Sequence, residues 1–227
     1  MVGILFILLI VVSIAFIFVA FYVYRPSPFE QAPITAPYVQ PRLYENILSP
    51  EEGEYILAVT RENFTDSIIL SGANKNIRNS QTVWLYKSDS FIRRIMERIC
   101  KITSTRLSQV EPMQVVKYEP GGYYNNHHDS CCDNTKECYE FVKRGGQRKY
   151  TMLVYLTDTF TGGYTEFPNL NMKFKPPKLS GLLFHPLEEG GSRCHPLALH
   201  RGTPVDSGTK YICNIWIREY DIPTLVD

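Results

Sequence analysis

The chain has 227 residues, 44% of them hydrophobic, and its 24 Lys and Arg nearly match its 23 Asp and Glu, for a formal net charge of +1. A balance so close to neutral gives no electrostatic footprint for nucleic acid, which is not an expected partner. No internal repeat is present, and the length beyond residue 42 suits one domain with one substantial core.

Val2 to Tyr24 is an uncharged run dominated by Ile, Leu, Val, Phe and Ala. At about 1.5 Å of rise per residue, a helix of that length crosses a hydrocarbon core of about 30 Å. Residues 1–24 are therefore expected to form one transmembrane helix. A cleaved signal peptide fits less well, because no Lys or Arg precedes Arg25 and Ala20 is followed by bulky Phe21 and Tyr22. Arg25 alone would put the following residues in the cytosol. Against it stand six cysteines, which suit an oxidising compartment, and the sequon Asn63-Phe64-Thr65, usable only in a secretory lumen. A lumenal domain is the expectation. From 25 to 42, Pro26, Pro28, Pro33, Pro37 and Pro41 rule out a helix and predict a semi-extended linker. The domain proper is expected over 43–227.

Ser49-Pro50-Glu51-Glu52 carries the marks of a helix start, with Ser as N-cap, Pro at the first helical position and Glu three residues after the cap. That helix should run to about Arg61. A second follows Ser88-Asp89-Ser90, where Phe91, Ile92, Ile95 and Ile99 recur at helical spacing. Arg93, Arg94 and Arg98 then form its solvated outer face.

After Val110 the period changes. The runs 113–119, 150–157, 181–186 and 210–217 are rich in Val, Ile, Leu, Tyr and Thr and are separated by Gly and Pro clusters, which reads as strands. Several short strands with turn signals suggest a sandwich or barrel, and the jelly roll is the antiparallel form with a ligand-sized mouth. Where the first run ends stands Tyr118-Glu-Pro-Gly-Gly-Tyr-Tyr-Asn-Asn-His-His-Asp129. Side chains two apart on a strand share a face, so His127 and Asp129 point together. Joined by a second imidazole, His200, they would make the 2-His-1-carboxylate triad that holds Fe(II) and leaves coordination positions open. His128 points to the opposite strand face, and neither it nor His195 is expected to ligate.

The next loop holds Cys131, Cys132 and Cys138 without the paired Cys-x-x-Cys halves of a zinc site. A disulfide from Cys138 to either Cys131 or Cys132 is expected, stiffening a lid beside the site. Cys100 and Cys213 fall on core faces, and Cys194 has no obvious partner.

Taken together, His127-x-Asp129, Arg148 to Leu156, Gly162-Gly163-Tyr164-Thr165-Glu166-Phe167-Pro168, Leu199-His200-Arg201-Gly202-Thr203-Pro204-Val205 and Lys210 to Ile217, in this order and spacing, resemble the Fe(II)- and 2-oxoglutarate-dependent dioxygenases of the prolyl 4-hydroxylase family over about residues 43–220. The resemblance implies an α+β, mainly β fold: a double-stranded β-helix, jelly-roll or cupin-like, braced by N-terminal helices. It implies Fe(II) on His127, Asp129 and His200, with O2 and ascorbate as further requirements. It implies 2-oxoglutarate with its far carboxylate on Lys210, a cation that a buried anion needs, and with Tyr118 and Thr165 hydrogen-bonding the same end. Tyr124 and Arg148 match positions lining the peptide-proline site, and Trp216 matches an inward aromatic near the iron.

The reaction implied is hydroxylation of peptidyl proline to 4-hydroxyproline with release of succinate and CO2, on a proline-containing peptide or protein. Membrane-anchored relatives in this family face the lumen of the endoplasmic reticulum or Golgi. Two other readings stay open: a dioxygenase of the same fold acting on another residue or a small molecule, and a membrane-tethered binding protein whose catalysis has lapsed. The intact triad and Lys210 argue against the second. Oligomeric state is not legible.

Overall fold

The computed structural model describes residues 27, 29, 31–69, 72 and 74–223. The apolar stretch 1–24 lies outside them, and among the described residues no helix is long and apolar enough to cross a membrane.

Helix α1 (Pro50–Thr60) starts as the sequence predicts. Ser49 Oγ accepts from the Glu52 N–H at 3.2 Å, and Glu52 Oε2 accepts from the Ser49 N–H at 2.9 Å, a reciprocal cap. In α2 (Ser90–Thr103) the cap is Asp89, accepting from the Phe91 and Ile92 N–H groups. Arg93, Arg94 and Arg98 lie on the exposed outer face of α2, as expected, but Arg98 is also engaged there. Its guanidinium forms two 2.8 Å bonds to the Glu52 carboxylate and a third to the Ile47 carbonyl, bolting α2 to the start of α1.

Fourteen short strands follow or interleave: β1 (Arg42–Tyr44), β2 (Thr65–Asp66), β3 (Arg78–Asn79), β4 (Gln81–Leu85), β5 (Met113–Tyr118), β6 (Tyr123–His127), β7 (Arg148–Tyr155), β8 (Thr161–Gly162), β9 (Thr165–Phe167), β10 (Met172–Phe174), β11 (Gly181–Phe184), β12 (His200–Gly202), β13 (Val205–Ser207) and β14 (Lys210–Arg218). They make a seven-stranded sheet in the order β1-β11-β7-β14-β5-β4-β2, a five-stranded sheet β10-β9-β12-β6-β3 and a small β13-β8 pair. Every pairing between these strands is antiparallel, as a jelly roll requires.

The larger sheet is buried on both faces, which is why its central strands read as nearly unbroken apolar runs. Met113, Val115, Met152, Val154, Cys213, Ile215 and Ile217 pack with Ile56, Ile92, Ile95, Met96 and Ile99 of the two helices. Their alternates Val116, Tyr118, Leu153, Tyr155 and Ile212 face Phe167 and Phe184 between the sheets. Each fully buried aliphatic side chain here contributes about 1.5–3 kcal/mol of transfer free energy.

A break in this alternation matters for the site. β14 and β7 pair Ile217 with Tyr150 but Arg218 with Arg148, so β7 carries one extra residue at that point. Such a bulge shifts the side-chain parity of what precedes it. Arg148 therefore leaves the helix-facing set of Tyr150 and Met152 and joins the inter-sheet face.

The described part of the Pro-rich segment lies against the domain, where a spacer was expected. Phe29 is buried with Cys131, Cys138 and Phe141, the Ala32 N–H donates to the Cys194 carbonyl at 2.8 Å, and the Glu189 N–H donates to the Pro37 carbonyl. The disulfides are Cys131–Cys138, one of the two predicted alternatives, and Cys132–Cys194. The second corrects the expectation that Cys194 lacks a partner: a contact across 62 residues leaves no local signal. Cys100 and Cys213 are free and buried, as expected. The short helix α3 (Lys136–Val142) fills the cysteine loop, capped by Thr135.

Candidate active site

One cavity of about 310 Å³ opens between the two sheets, and all nine residues singled out in the sequence line it: Tyr118, Tyr124, His127, Asp129, Arg148, Thr165, His200, Lys210 and Trp216.

At one end, β6 and β12 pair His127 directly with His200. Asp129 lies just beyond the end of β6, so the shared strand face is not what delivers it. The delivery comes from the other sheet, where Thr151 Oγ1 donates to Asp129 Oδ2 at 2.6 Å. Both imidazole Nε2 atoms then stand 3.8 Å from Asp129 Oδ1. One ligand atom from each of the three residues falls within 4.8 Å of the others. The His127 Nδ1–H donates to the Asn125 carbonyl at 2.7 Å and the His200 Nδ1–H to the Ala198 carbonyl at 3.0 Å. These bonds select the tautomers whose free Nε2 lone pairs converge on the carboxylate.

Electrostatics agree with a metal site. Burial, and then the neighbouring His200, hold His127 far below the ordinary imidazole range, so it stays neutral and able to ligate. Burial works against the charge on Asp129, but His200, His127 and Arg148 outweigh it and keep the carboxyl below its usual range. Two imidazole nitrogens and one carboxylate suit Fe(II) and leave the cavity side open.

At the other end Lys210 is almost completely buried. Its Nζ donates to the Gly163 carbonyl at 2.7 Å and sits 4.9 Å from the centre of the Tyr155 ring and 5.3 Å from that of Tyr118. Among the described residues no carboxylate forms an ion pair with it. Burial, with a smaller push from Lys175, lowers its pKa to about 7. A buried ammonium that lacks an anion is costly, and an anionic ligand at that point would relieve it. Thr165 Oγ1 and Tyr155 Oη lie 2.8 Å apart beside it.

Tyr124 stacks on the His127 ring with centroids 3.5 Å apart, so it adjoins a metal-directed imidazole as well as the cavity. Arg148 lies over the Trp216 ring at 3.6 Å. It is also committed to Glu111 through two 2.8 Å bonds, and Arg218 Nε reaches the same carboxylate at 2.8 Å. Glu111, Thr151 and Tyr155 were missed in the sequence. For Thr151 and Tyr155 the signal was there, since they alternate with Leu153 on the inter-sheet face of β7; Glu111 precedes β5 and carried none.

His128 corrects a further expectation: it lines the cavity although it offers no atom to the triad. His195 is fully buried and also stands outside the triad.

The description "2OG-Fe(II) oxygenase superfamily" fits residues 113–218, the span from β5 to the end of β14. A "putative prolyl 4-hydroxylase" of Acanthamoeba polyphaga mimivirus is 46% identical over 191 residues, 84% of this chain and 79% of that protein. "Prolyl 4-hydroxylase 1" of Arabidopsis thaliana is 32% identical over 195 residues, 77% of this chain and 67% of that one. Among solved structures, the 2OG complex of the viral collagen prolyl hydroxylase from Paramecium Bursaria Chlorella virus-1 superposes with a TM-score of 0.62 at 28% identity, covering 78% of this chain and 94% of that one.

Proposed function

The chain belongs to the prolyl 4-hydroxylase family of 2OG-Fe(II) oxygenases, and we propose that it hydroxylates peptidyl proline to 4-hydroxyproline, using O2 and 2-oxoglutarate and releasing succinate and CO2. The observation that carries this reading is the two-ended cavity, with two imidazole nitrogens and a carboxylate converging at one end and, at the other, a buried lysine that no carboxylate among the described residues pairs with.

His127, Asp129 and His200 would hold Fe(II), which when bound supplies the oxidising chemistry. Lys210 pairs with the far carboxylate of 2-oxoglutarate, and Thr165, with Tyr155 behind it, and Tyr118 complete the polar surround of that end. Holding the cosubstrate at two points fixes its orientation and removes most of the entropy cost of alignment. Trp216, with Arg148 lying over it, and Tyr124 form the wall against which a proline ring would rest. Glu111 holds the Arg148 guanidinium in place and keeps it charged despite burial.

The test is mass spectrometry of proline-rich peptides incubated with the protein, Fe(II), ascorbate and 2-oxoglutarate. A gain of one oxygen on proline, matched by succinate, is expected. Oxygen on another residue, or succinate without peptide oxidation, contradicts the prolyl reading. Ascorbate, the expected reductant for iron oxidised in uncoupled turnovers, should prolong succinate formation in the same assay.

The same reading includes an N-terminal membrane anchor and a lumenal domain, supported by the apolar run from Val2 to Tyr24, by two disulfides and by the exposed turn that carries Asn63. Carbonate-resistant membrane association and a glycosidase-sensitive mass at Asn63 are expected. A soluble product trimmed near residue 24 contradicts the anchor.

A further inference from the structure

The 186–200 segment that delivers His200 is long, almost without regular structure, and gripped from outside by the Pro-rich strap. His195 is where the two meet. Its Nδ1 accepts from the Leu197 N–H at 3.1 Å, which leaves the proton on Nε2, and Nε2–H donates to the Ala36 carbonyl at 3.1 Å. The Tyr38 ring stacks on the imidazole with centroids 4.6 Å apart. The His195 N–H donates to the Pro186 carbonyl, and its own carbonyl accepts from the Ala198 N–H at 2.9 Å. Fully buried, it thus caps the single 3-10 turn Pro196–Ala198 with its side chain and its backbone.

That turn is not incidental to the metal end. The carbonyl of its last residue, Ala198, accepts from His200 Nδ1 at 3.0 Å and so selects the tautomer and ring angle that aim Nε2 at Asp129. From the strap inward, contacts therefore run in series: Ala36 carbonyl to His195 Nε2, His195 Nδ1 to the Leu197 N–H, the capped turn to the Ala198 carbonyl, and that carbonyl to His200. The Ala32 bond to the Cys194 carbonyl holds the strap beside the same turn.

We infer that His195 is a positioning residue for His200, and that strap residues 32–38 act on the metal centre through it. The inference rests on the reading of His200 as a metal ligand. A buried histidine that merely fills space would affect stability alone, whereas one that orients the partner of a ligand must affect metal affinity. Groups that hydrogen-bond to ligands typically change metal affinity by about 10- to 100-fold when removed. His195 acts one step further back, so the low end of that range is expected.

The experiment titrates the full-length protein in detergent with Co(II), followed by the absorption of the bound ion, at a temperature well below each variant's thermal transition. His195→Leu should weaken Co(II) binding by about 10-fold. His195→Asn, whose short side chain can still cap the turn, should recover much of that loss, and Tyr38→Ala should give a smaller loss in the same direction. If His200→Ala abolishes Co(II) binding while His195→Leu, or Tyr38→Ala should His195→Leu fail to fold, binds like wild type, the positioning role is overturned and the metal reading stands. If His200→Ala also binds like wild type, the metal reading itself falls and takes the inference with it.

Discussion

The two ends of the cavity are built on opposite terms. At the His127, Asp129 and His200 end the protein supplies partners for the ligand side chains: the Asn125 and Ala198 carbonyls for the imidazoles and the Thr151 hydroxyl for the carboxylate. At the Lys210 end it supplies one carbonyl, two aromatic faces and no anion among the described residues. The first end is organised before anything binds. On the proposed reading the second is completed by 2-oxoglutarate, so the two should respond differently to mutation and to pH.

Loss of a triad residue should have the largest effect. His127→Ala or His200→Ala removes a ligand that the rest of the site cannot replace, so Fe(II) binding and succinate formation should both fall to background. Substantial turnover in His200→Ala would break the comparison at its organised end.

Lys210→Ala should spare the metal and strike the cosubstrate. A hydrogen bond to a charged group is worth about 1.5–3 kcal/mol, or roughly 10- to 150-fold in affinity at 1.4 kcal/mol per tenfold. Half-saturation by 2-oxoglutarate should rise by that range in a steady-state succinate assay, while Fe(II) affinity changes little.

The pH dependence sharpens the contrast. With a folded-state pKa near 7 and an unfolded value of about 10.4, Lys210 is neutral in the empty site at mildly alkaline pH while the unfolded chain still binds its proton. The unliganded protein should therefore gain stability from Lys210 as pH rises through that window. Binding of 2-oxoglutarate needs the charged form, so its affinity should fall by about 15-fold from pH 7 to pH 8.5 as the protonated fraction drops. Lys210→Arg keeps its charge across the range and should flatten this dependence, although its bulkier fork weakens binding overall.

The smallest effects belong to neighbouring hydroxyls. Tyr155→Phe removes the partner of the Thr165 hydroxyl, a bond worth about 0.5–1.5 kcal/mol, and should raise half-saturation by 2-oxoglutarate a few-fold. Tyr124→Phe keeps the stack on His127 and should weaken peptide saturation while leaving peptide-independent 2-oxoglutarate decay nearly intact. Equal losses in both reactions would move Tyr124 to the metal side.

What the sequence made legible follows from short-range physics. Helix starts were written in Ser49 and Asp89, and the double burial of the large sheet in the unbroken Val and Ile runs. The triad and Lys210 were legible as residue types at strand ends in a resembled order. Illegible features depended on register or long-range closure. The extra residue in β7 turns Arg148 into the cavity, and no local pattern marks it. Glu111 acquires its role because Arg148 and Arg218, distant in sequence, converge on it. Proline spacing excludes helix between 25 and 42, but it does not say whether the chain stands free or lies down, and the contacts of His195 with Ala36 and Tyr38 arise from the second course.

The central claim is that one ligand spans the cavity, with its oxo-acid end at the triad and its far carboxylate on Lys210. The direct measurement compares 2-oxoglutarate with 2-oxopentanoate, an oxo acid of the same carbon length that lacks the far carboxylate, as ligands of the Co(II)-loaded protein. Wild type should prefer 2-oxoglutarate by roughly 10- to 150-fold, and Lys210→Ala should bind the two almost equally through unchanged contacts at the metal. A preference that survives Lys210→Ala undiminished would contradict the account.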